Sequence, residues 1–535
     1  MSENAAIKNE RFPILCLILL IETNISVFSS NKAKQLRTNL YTTLASSTDK
    51  RKDLKMNSAQ RYYLILFITV AAYFGVSKYI FDHVYDTIKV VIDELFHIPQ
   101  AQAYCKGNYT DWNPKITTLP GLYLISSTVL GPYFECDTYN LRFVNLIASC
   151  INLILFGAIL RFVYFIETRQ VKHVIQALNL TLLPPLYFFS HVFYTDTLSL
   201  TFLLIFSRLC FTSKYKLPIL LFGFLSVMMR QTNIAWIAMV FGHKALDMLI
   251  KSSRVFGNKY ITNVNLSKNS LIAEDIDNSK LKRYYNVADV YVAIKYHMST
   301  LFVTFFKFLS LQDWLVLITH SILLLSFVTF VFVNGSIVLG DKTAHEATIH
   351  VPQLLYFLLF YGVFGLPYVL AKLPSTLRLI YTNKVNVVLL SLAMAAIVHF
   401  NTVIHPYLLA DNRHFTFYIW NRWFGKYDFA VYVTIPVYIF MLFSLYDNLK
   451  DQNCISFLLP YCISLFLVLG LQKMIEVRYF LLPYIILRLR FVRPPMILVL
   501  FEFFYYLAIN VASFYVFFNK EVMWQDFDYV QRIIW

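Results

Sequence analysis

Between Ile92 and Tyr123 the chain reads IDELFHIPQAQAYCKGNYTDWNPKITTLPGLY, and its polar residues are of kinds that do chemistry. Two carboxylates stand side by side, Asp93 and Glu94, followed by His97, Gln100 and Gln102, then Asp111, Trp112 and Asn113. Neighbouring side chains at a helix end point about 100° apart. One acid can therefore face a substrate while a cation holds the other, and a general base needs only one carboxylate beside a hydroxyl. The plainer alternative is that the pair ends a helix and solvates a loop.

Further groups of this kind recur along the chain. They are Tyr194-Thr195-Asp196, Arg230-Gln231-Thr232-Asn233, Gly340-Asp341-Lys342 with His345, Glu346 and His350, Asp411-Asn412-Arg413-His414, and Glu476-Val477-Arg478-Tyr479. Arg413 offers a planar fork of donors suited to a phosphate, with His414 beside it. Each group also has a structural reading. Tyr194–Asp196 can cap a helix, Arg230 can pair with a neighbouring acid, and Lys342 and Arg478 can be snorkelling cations.

Two motifs fall short of their patterns. GSIVLGDKT (335–343) has one residue too many between Gly340 and Lys342-Thr343 for a phosphate loop, and no strand precedes it. His345 and His350 are five apart, which turns them away from one another on a helix, whereas paired zinc ligands are four apart. No metal or cofactor is indicated.

The elements that must position these residues are membrane helices. The chain has 535 residues, is 58% hydrophobic and only 15% charged, more apolar surface than a soluble core can use. The net charge of +16 lies largely in short loops between apolar runs, where it sets orientation and does not imply nucleic acid. Spans are expected at 62–82, 141–166, 174–192, 195–212, 311–333, 352–371, 386–404, 429–446, 454–472 and 496–518, with a short crossing at 479–490. The tail before 62 carries ten Lys and Arg against five acids and reads as cytosolic, which puts 83–140 on the lumenal side. The basic, Asn- and Ser-rich loop 251–300 also reads as a cytosolic linker. Both hold only if 215–250 forms two short helices, 215–229 and 234–250, hinged at Arg230–Asn233. That hinge also spares Arg230 the bilayer centre, a cost of several kcal/mol. The count is then about 13 helices, within 10–14.

In this topology all six polar groups fall on one face, as lining of a shared cavity. Asn108-Tyr109-Thr110 is a glycosylation sequon in the first loop and agrees with a lumenal side. Cys105 and Cys136 flank that loop and can pair in an oxidising compartment, although spacing alone does not fix a pair. Residues 1–55 are expected to be a poorly ordered extension, with Met56 as an alternative start. Three functions suit such a cavity: a transferase acting on lipid-phosphate sugars, an ion-coupled transporter, or a non-catalytic regulatory subunit, for example of an ion channel. The transporter is disfavoured because the halves show no similarity.

Several blocks carry a family resemblance: DELFHIPQAQAYC (93–105), KITTLPGLY (115–123), LRFVN (141–145), RQTNIAW (230–236), GDKTAHEATIHVPQLLYF (340–357), LLADNRHFTFYIW (408–420), EVRYFLLPY (476–484) and QRIIW (531–535). Over about residues 62–535 the chain resembles the eukaryotic alpha-1,2-glucosyltransferases that use dolichyl-phosphate glucose. The resemblance implies an all-α polytopic membrane protein with a C-type glycosyltransferase fold, resident in the endoplasmic reticulum membrane with a lumenal site. The implied donor is dolichyl-phosphate glucose, and the acceptor a diglucosylated high-mannose oligosaccharide on dolichyl diphosphate. It further implies an inverting reaction with Asp93 as base and Glu94 as alternate or orienting partner. Arg413, His414, Lys342, Arg478 and Arg230 would hold the donor phosphate. His97, Gln100, Trp112, Asn412 and His345 would position sugars.

Overall fold

The computed structural model describes residues 58–164, 171–213, 215–253, 287–342, 348–403, 411–427, 429–450, 455–491, 494–524 and 529–535. His345 and the extension 1–55 lie outside these residues. Among the described residues the secondary structure is helical, apart from one small hairpin in which Glu521–Val522 pairs antiparallel with Gln531–Arg532. Eight helices among the described residues are long and apolar enough to cross a membrane: Ser58–Thr87, Thr138–Val163, Thr195–Thr212, Asn233–Ser252, Leu311–Asn334, Lys384–Asn401, Ala430–Leu449 and Met496–Asn519. Four apolar helices are shorter, Gly121–Leu130, Leu217–Met229, Pro352–Phe364 and Ile455–Leu469. The chain is thus a polytopic, all-α membrane protein.

Proline explains most departures from the expected spans. The run 174–192 is two helices, Val171–Thr181 and Pro184–Phe189, because Pro184 and Pro185 lack the N–H groups a continuing helix needs. The run 352–371 likewise breaks at Gly365, before Pro367. The region around Arg230 does divide into Leu217–Met229 and Asn233–Ser252, with Arg230 in extended conformation between them.

The loop after the first helix is a packed unit. Helix Glu94–Cys105 and helix Gly121–Leu130 enclose a core of Ile98, Ala101, Tyr104, Leu122 and Tyr123, against which Trp112 and Phe96 pack. Cys105 and Cys136 form a disulfide across it. The segment before Asp341 is latched to this loop: Leu339 N donates to Thr117 O (3.2 Å) and Asp341 N to Pro114 O (2.7 Å). Gly340 sits at φ +32°, and a Cβ there would lie 2.3 Å from Pro114 O and 2.4 Å from Ile116 O, so only glycine permits the approach.

Two fully buried ion pairs tie helices together. Glu94 pairs with Arg142 of helix Thr138–Val163. Glu502 of the last long helix takes both the Nε and Nη2 of Arg488 (2.6 Å each), and also accepts from Tyr368 Oη (3.0 Å) and Asn179 Nδ2 (2.8 Å).

Candidate active site

The two adjacent acids have different surroundings. Glu94 is wholly buried, and its carboxylate is saturated. Arg142 Nε and Nη2 donate to its two oxygens at 2.9 and 2.6 Å, while the main-chain N–H groups of Val91 (2.8 Å) and Phe193 (2.6 Å) take one oxygen each. Arg142 also donates to the carbonyls of Ile88 and Lys89, 3.2 Å each. An ion pair this deep needs such a full set of partners, because desolvation otherwise exceeds the Coulomb gain. Glu94 therefore fastens the loop to helix Thr138–Val163.

Asp93 stays 37% exposed at its side chain, with Oδ2 3.0 Å from Arg478 Nη2. It precedes helix Glu94–Cys105 without capping it. Ile92, just before it, is held at φ +36°, a region unfavourable to a β-branched residue. Tyr194 Oη bridges the strained turn: it accepts from Asp93 N (3.0 Å) and donates to Val91 O (3.3 Å). Burial pushes the Asp93 pKa up, but the Arg478 guanidinium, with His97 and His414, outweighs it and holds the carboxyl below its ordinary value. Asp93 is ionised at neutral pH. Burial also lowers His97, against the pull of Asp93, so the imidazole is neutral. It shares a 2.6 Å hydrogen bond with Tyr123 Oη.

Arg478 is the hub. It begins helix Arg478–Arg488 and meets three carboxylates: Glu476 at 2.6 Å, Asp93 at 3.0 Å and Asp196 at 3.7 Å. Its guanidinium lies over the Tyr194 ring, 4.9 Å from the centroid. Asp196, at the start of helix Thr195–Thr212, also pairs with Arg230, whose guanidinium lies 5.7 Å from the Tyr479 ring centroid. A crevice opens between Asp196, Arg230, Asn233, Gln472, Arg478 and Tyr479, with an apolar floor that includes Trp236 and Leu481. His350 and Gln353 steady the approach to it: His350 N donates to Gly470 O (2.8 Å) and Gln353 Nε2 to Met474 O (2.7 Å).

Arg413 is folded onto Asp411, with Nε and Nη2 each 2.8 Å from a carboxylate oxygen, and lies over the Trp524 ring at 4.2 Å. Burial raises the Asp411 pKa, and Arg413 with His414 more than reverses this. Asn412 Oδ1 accepts from Trp524 Nε1 at 2.7 Å.

The structure therefore brings together Asp93, His97, Asp196, Arg230, Glu476 and Arg478, and His414 is close enough to affect Asp93. Other predicted residues are engaged elsewhere. Lys342 is exposed and donates to Asn334 O in its own loop (2.6 Å). Gln100 staples the first loop, donating to Asp111 O (2.7 Å) and accepting from Asn113 N (3.0 Å). Trp112 Nε1 donates to Ile116 O (3.2 Å), and its ring packs against Tyr123. Asn108 is exposed. Sequence reasoning missed Arg142 and Tyr194 as the partners that set the acid pair. Arg142 did carry a signal, a cation inside an apolar helix, which demands an acid.

Such an arrangement provides an ionised carboxylate that can take a proton, together with guanidinium groups that can meet an anionic group, beside an apolar crevice. Comparison with known proteins bears on which reaction this is. The model of the DIE2/ALG10 family matches residues 87–489. A Drosophila melanogaster protein named Dol-P-Glc:Glc(2)Man(9)GlcNAc(2)-PP-Dol alpha-1,2-glucosyltransferase is 40% identical over 458 residues, covering 85% of this chain and 96% of its own length. Homologues of the same name from Homo sapiens and Arabidopsis thaliana are 35% and 30% identical, each over 83% of this chain and 93% and 94% of their own. No solved structure matches.

Proposed function

The chain belongs to the DIE2/ALG10 family, and on that premise we propose that it transfers glucose from dolichyl-phosphate glucose, in alpha-1,2 linkage, onto the diglucosylated oligosaccharide of dolichyl diphosphate. The reaction takes place in the endoplasmic reticulum membrane, with the site on the lumenal side, in a C-type glycosyltransferase fold of about 13 crossings. The Cys105–Cys136 disulfide supports that side, since disulfides persist in oxidising compartments.

The observation that carries the mechanism is the contrast between the acids. Glu94 has every lone pair engaged, whereas Asp93 is ionised, partly exposed and shares one oxygen with Arg478. Asp93 is the base. The acceptor 2-hydroxyl oxygen attacks C1 of the donor glucose and passes its proton to Asp93. The bond between C1 and the phosphate oxygen breaks, and its electron pair leaves on the phosphate. A single in-line displacement inverts C1, from a beta donor to an alpha product. Arg478, Arg230, Arg413 and His414 stabilise the charge on the leaving phosphate. Fixed cations need little reorganisation as that charge develops. In this reading the neutral His97 and Asn412 meet sugar hydroxyls, and Lys342, Gln100 and Trp112 shape their own loops.

No observation favours a regulatory subunit. Lipid-linked oligosaccharides from cells lacking the protein decide between the readings: the diglucosylated species accumulates if this one is correct, and an unchanged profile contradicts it.

A further inference from the structure

One sequence block, QRIIW (531–535), has no part in the reaction outlined above and lies beyond the residues matched by the family model. Its position is specific. After helix Met496–Asn519, strand Glu521–Val522 pairs with Gln531–Arg532, and Arg532 donates back to Phe518 O (3.0 Å) and Glu521 Oε1 (3.3 Å). This hairpin returns the chain to the segment Asp411–Phe415.

There the two segments are joined by main chain and side chain. Ile534 N donates to Arg413 O (2.7 Å), and Phe415 N donates to Ile534 O (3.1 Å), so Ile534 brackets His414 in a parallel bridge. His414 Nδ1 lies 3.1 Å from the main-chain oxygen of Trp535. That contact requires the proton on Nδ1 and fixes the imidazole orientation. Trp535 packs against Phe415, with ring centroids 5.0 Å apart at a tilt of 54°, and against Phe364. The wholly buried Gln531 presents Oε1 3.5 Å from Arg413 Nη1. Trp524 lies under the Arg413 guanidinium and donates its indole N–H to Asn412. Arg413, His414 and Asn412 are thus each oriented by a residue of the C-terminal segment.

We propose that residues 521–524 and 529–535 act as a strap that positions Asn412, Arg413 and His414 for the donor phosphate, with Trp524, Gln531 and Ile534 as positioning residues. The inference rests on the functional reading above. Chemically, a guanidinium whose plane is already fixed loses less freedom when it meets a phosphate. Asp411 sets that plane from one side, and Gln531 and Trp524 set it from the other. The strap touches Asn412, Arg413 and His414, so its loss acts first on the donor.

The test uses the full-length protein in detergent, with dolichyl-phosphate glucose and the diglucosylated lipid-linked acceptor. Three variants are compared with wild type. Gln531→Met removes the amide, Ile534→Pro removes the N–H that holds Arg413 O, and Ile534→Val keeps it. Thermal unfolding identifies the folded variants, and Gln531→Met decides the question if Ile534→Pro does not fold. Loss of one hydrogen bond to a charged group lowers kcat/KM for the donor about tenfold. The acceptor KM stays near wild type, and Ile534→Val behaves as wild type. A folded Gln531→Met enzyme whose kcat/KM for the donor stays within about twofold of wild type, or a rise in both KM values alike, overturns the strap. Wild-type protein that transfers no glucose instead overturns the functional reading.

Discussion

Asp93 and Glu94 are adjacent but touch different partners. Glu94 meets Arg142 and two main-chain N–H groups in full burial, and Asp93 meets Arg478 at the edge of a crevice. Replacing Asp93 with Asn is expected to lower kcat by about 10²–10⁴ with the protein still folded, the usual contribution of a general base. Arg142→Met leaves the Glu94 charge buried and unpaired, at a cost of about 3–5 kcal/mol. It is expected to reduce the yield of folded protein and the melting temperature, not the activity of the folded fraction. The pH profile follows from the direction of the Asp93 shift. The carboxyl is held low, so the acidic limb of kcat/KM should fall below the ordinary aspartate value of about 4. Arg478→Gln removes the largest opposing charge and leaves burial, so the same limb should move upward. A limb that stays in place would mean that a different group titrates.

At the scale of elements, the first loop is a rigid module. Its disulfide closes a separation of 31 residues, which by chain entropy contributes about 3–4 kcal/mol. Serine at both cysteines should therefore lower the melting temperature and expose the loop to proteolysis. Gly340→Ala should uncouple the latch at Pro114–Ile116, since the added Cβ has no room and the backbone is at positive φ; faster proteolysis of the loop would report it. Much at this scale was legible in sequence. Charge balance located the helix break at Arg230, because an unpaired arginine cannot lie in mid-membrane. The breaks at Pro184 and Gly365 were passed over because those runs are apolar throughout, and hydropathy does not register a missing N–H. The site was legible as residue types but not as pairs. Nothing in spacing relates Asp93 to Arg478, 385 positions away. Nor does it show that Gln100 and Trp112 bind their own loop.

At the scale of the molecule, helix Arg478–Arg488 links two charged centres, with Arg478 in the crevice and Arg488 in a buried pair with Glu502. Removing that distant carboxylate, as in Glu502→Ala, strands Arg488 and should destabilise the folded protein by about 3–5 kcal/mol, measured by thermal unfolding in detergent. Asp93 and Asp411 are both held below the ordinary carboxylate value. The stability they contribute is complete above the unfolded value and is lost only as pH falls through the lower, folded one. The central claim is that Asp93, ionised and partly exposed beside Arg478, runs a glucosyl transfer. The most direct measurement is transfer by purified wild-type and Asp93→Asn protein from dolichyl-phosphate glucose to the diglucosylated lipid-linked oligosaccharide. The account predicts an acceptor one hexose heavier with wild type and essentially none with the folded variant. Near-normal transfer by folded Asp93→Asn, or none by wild type, would contradict it.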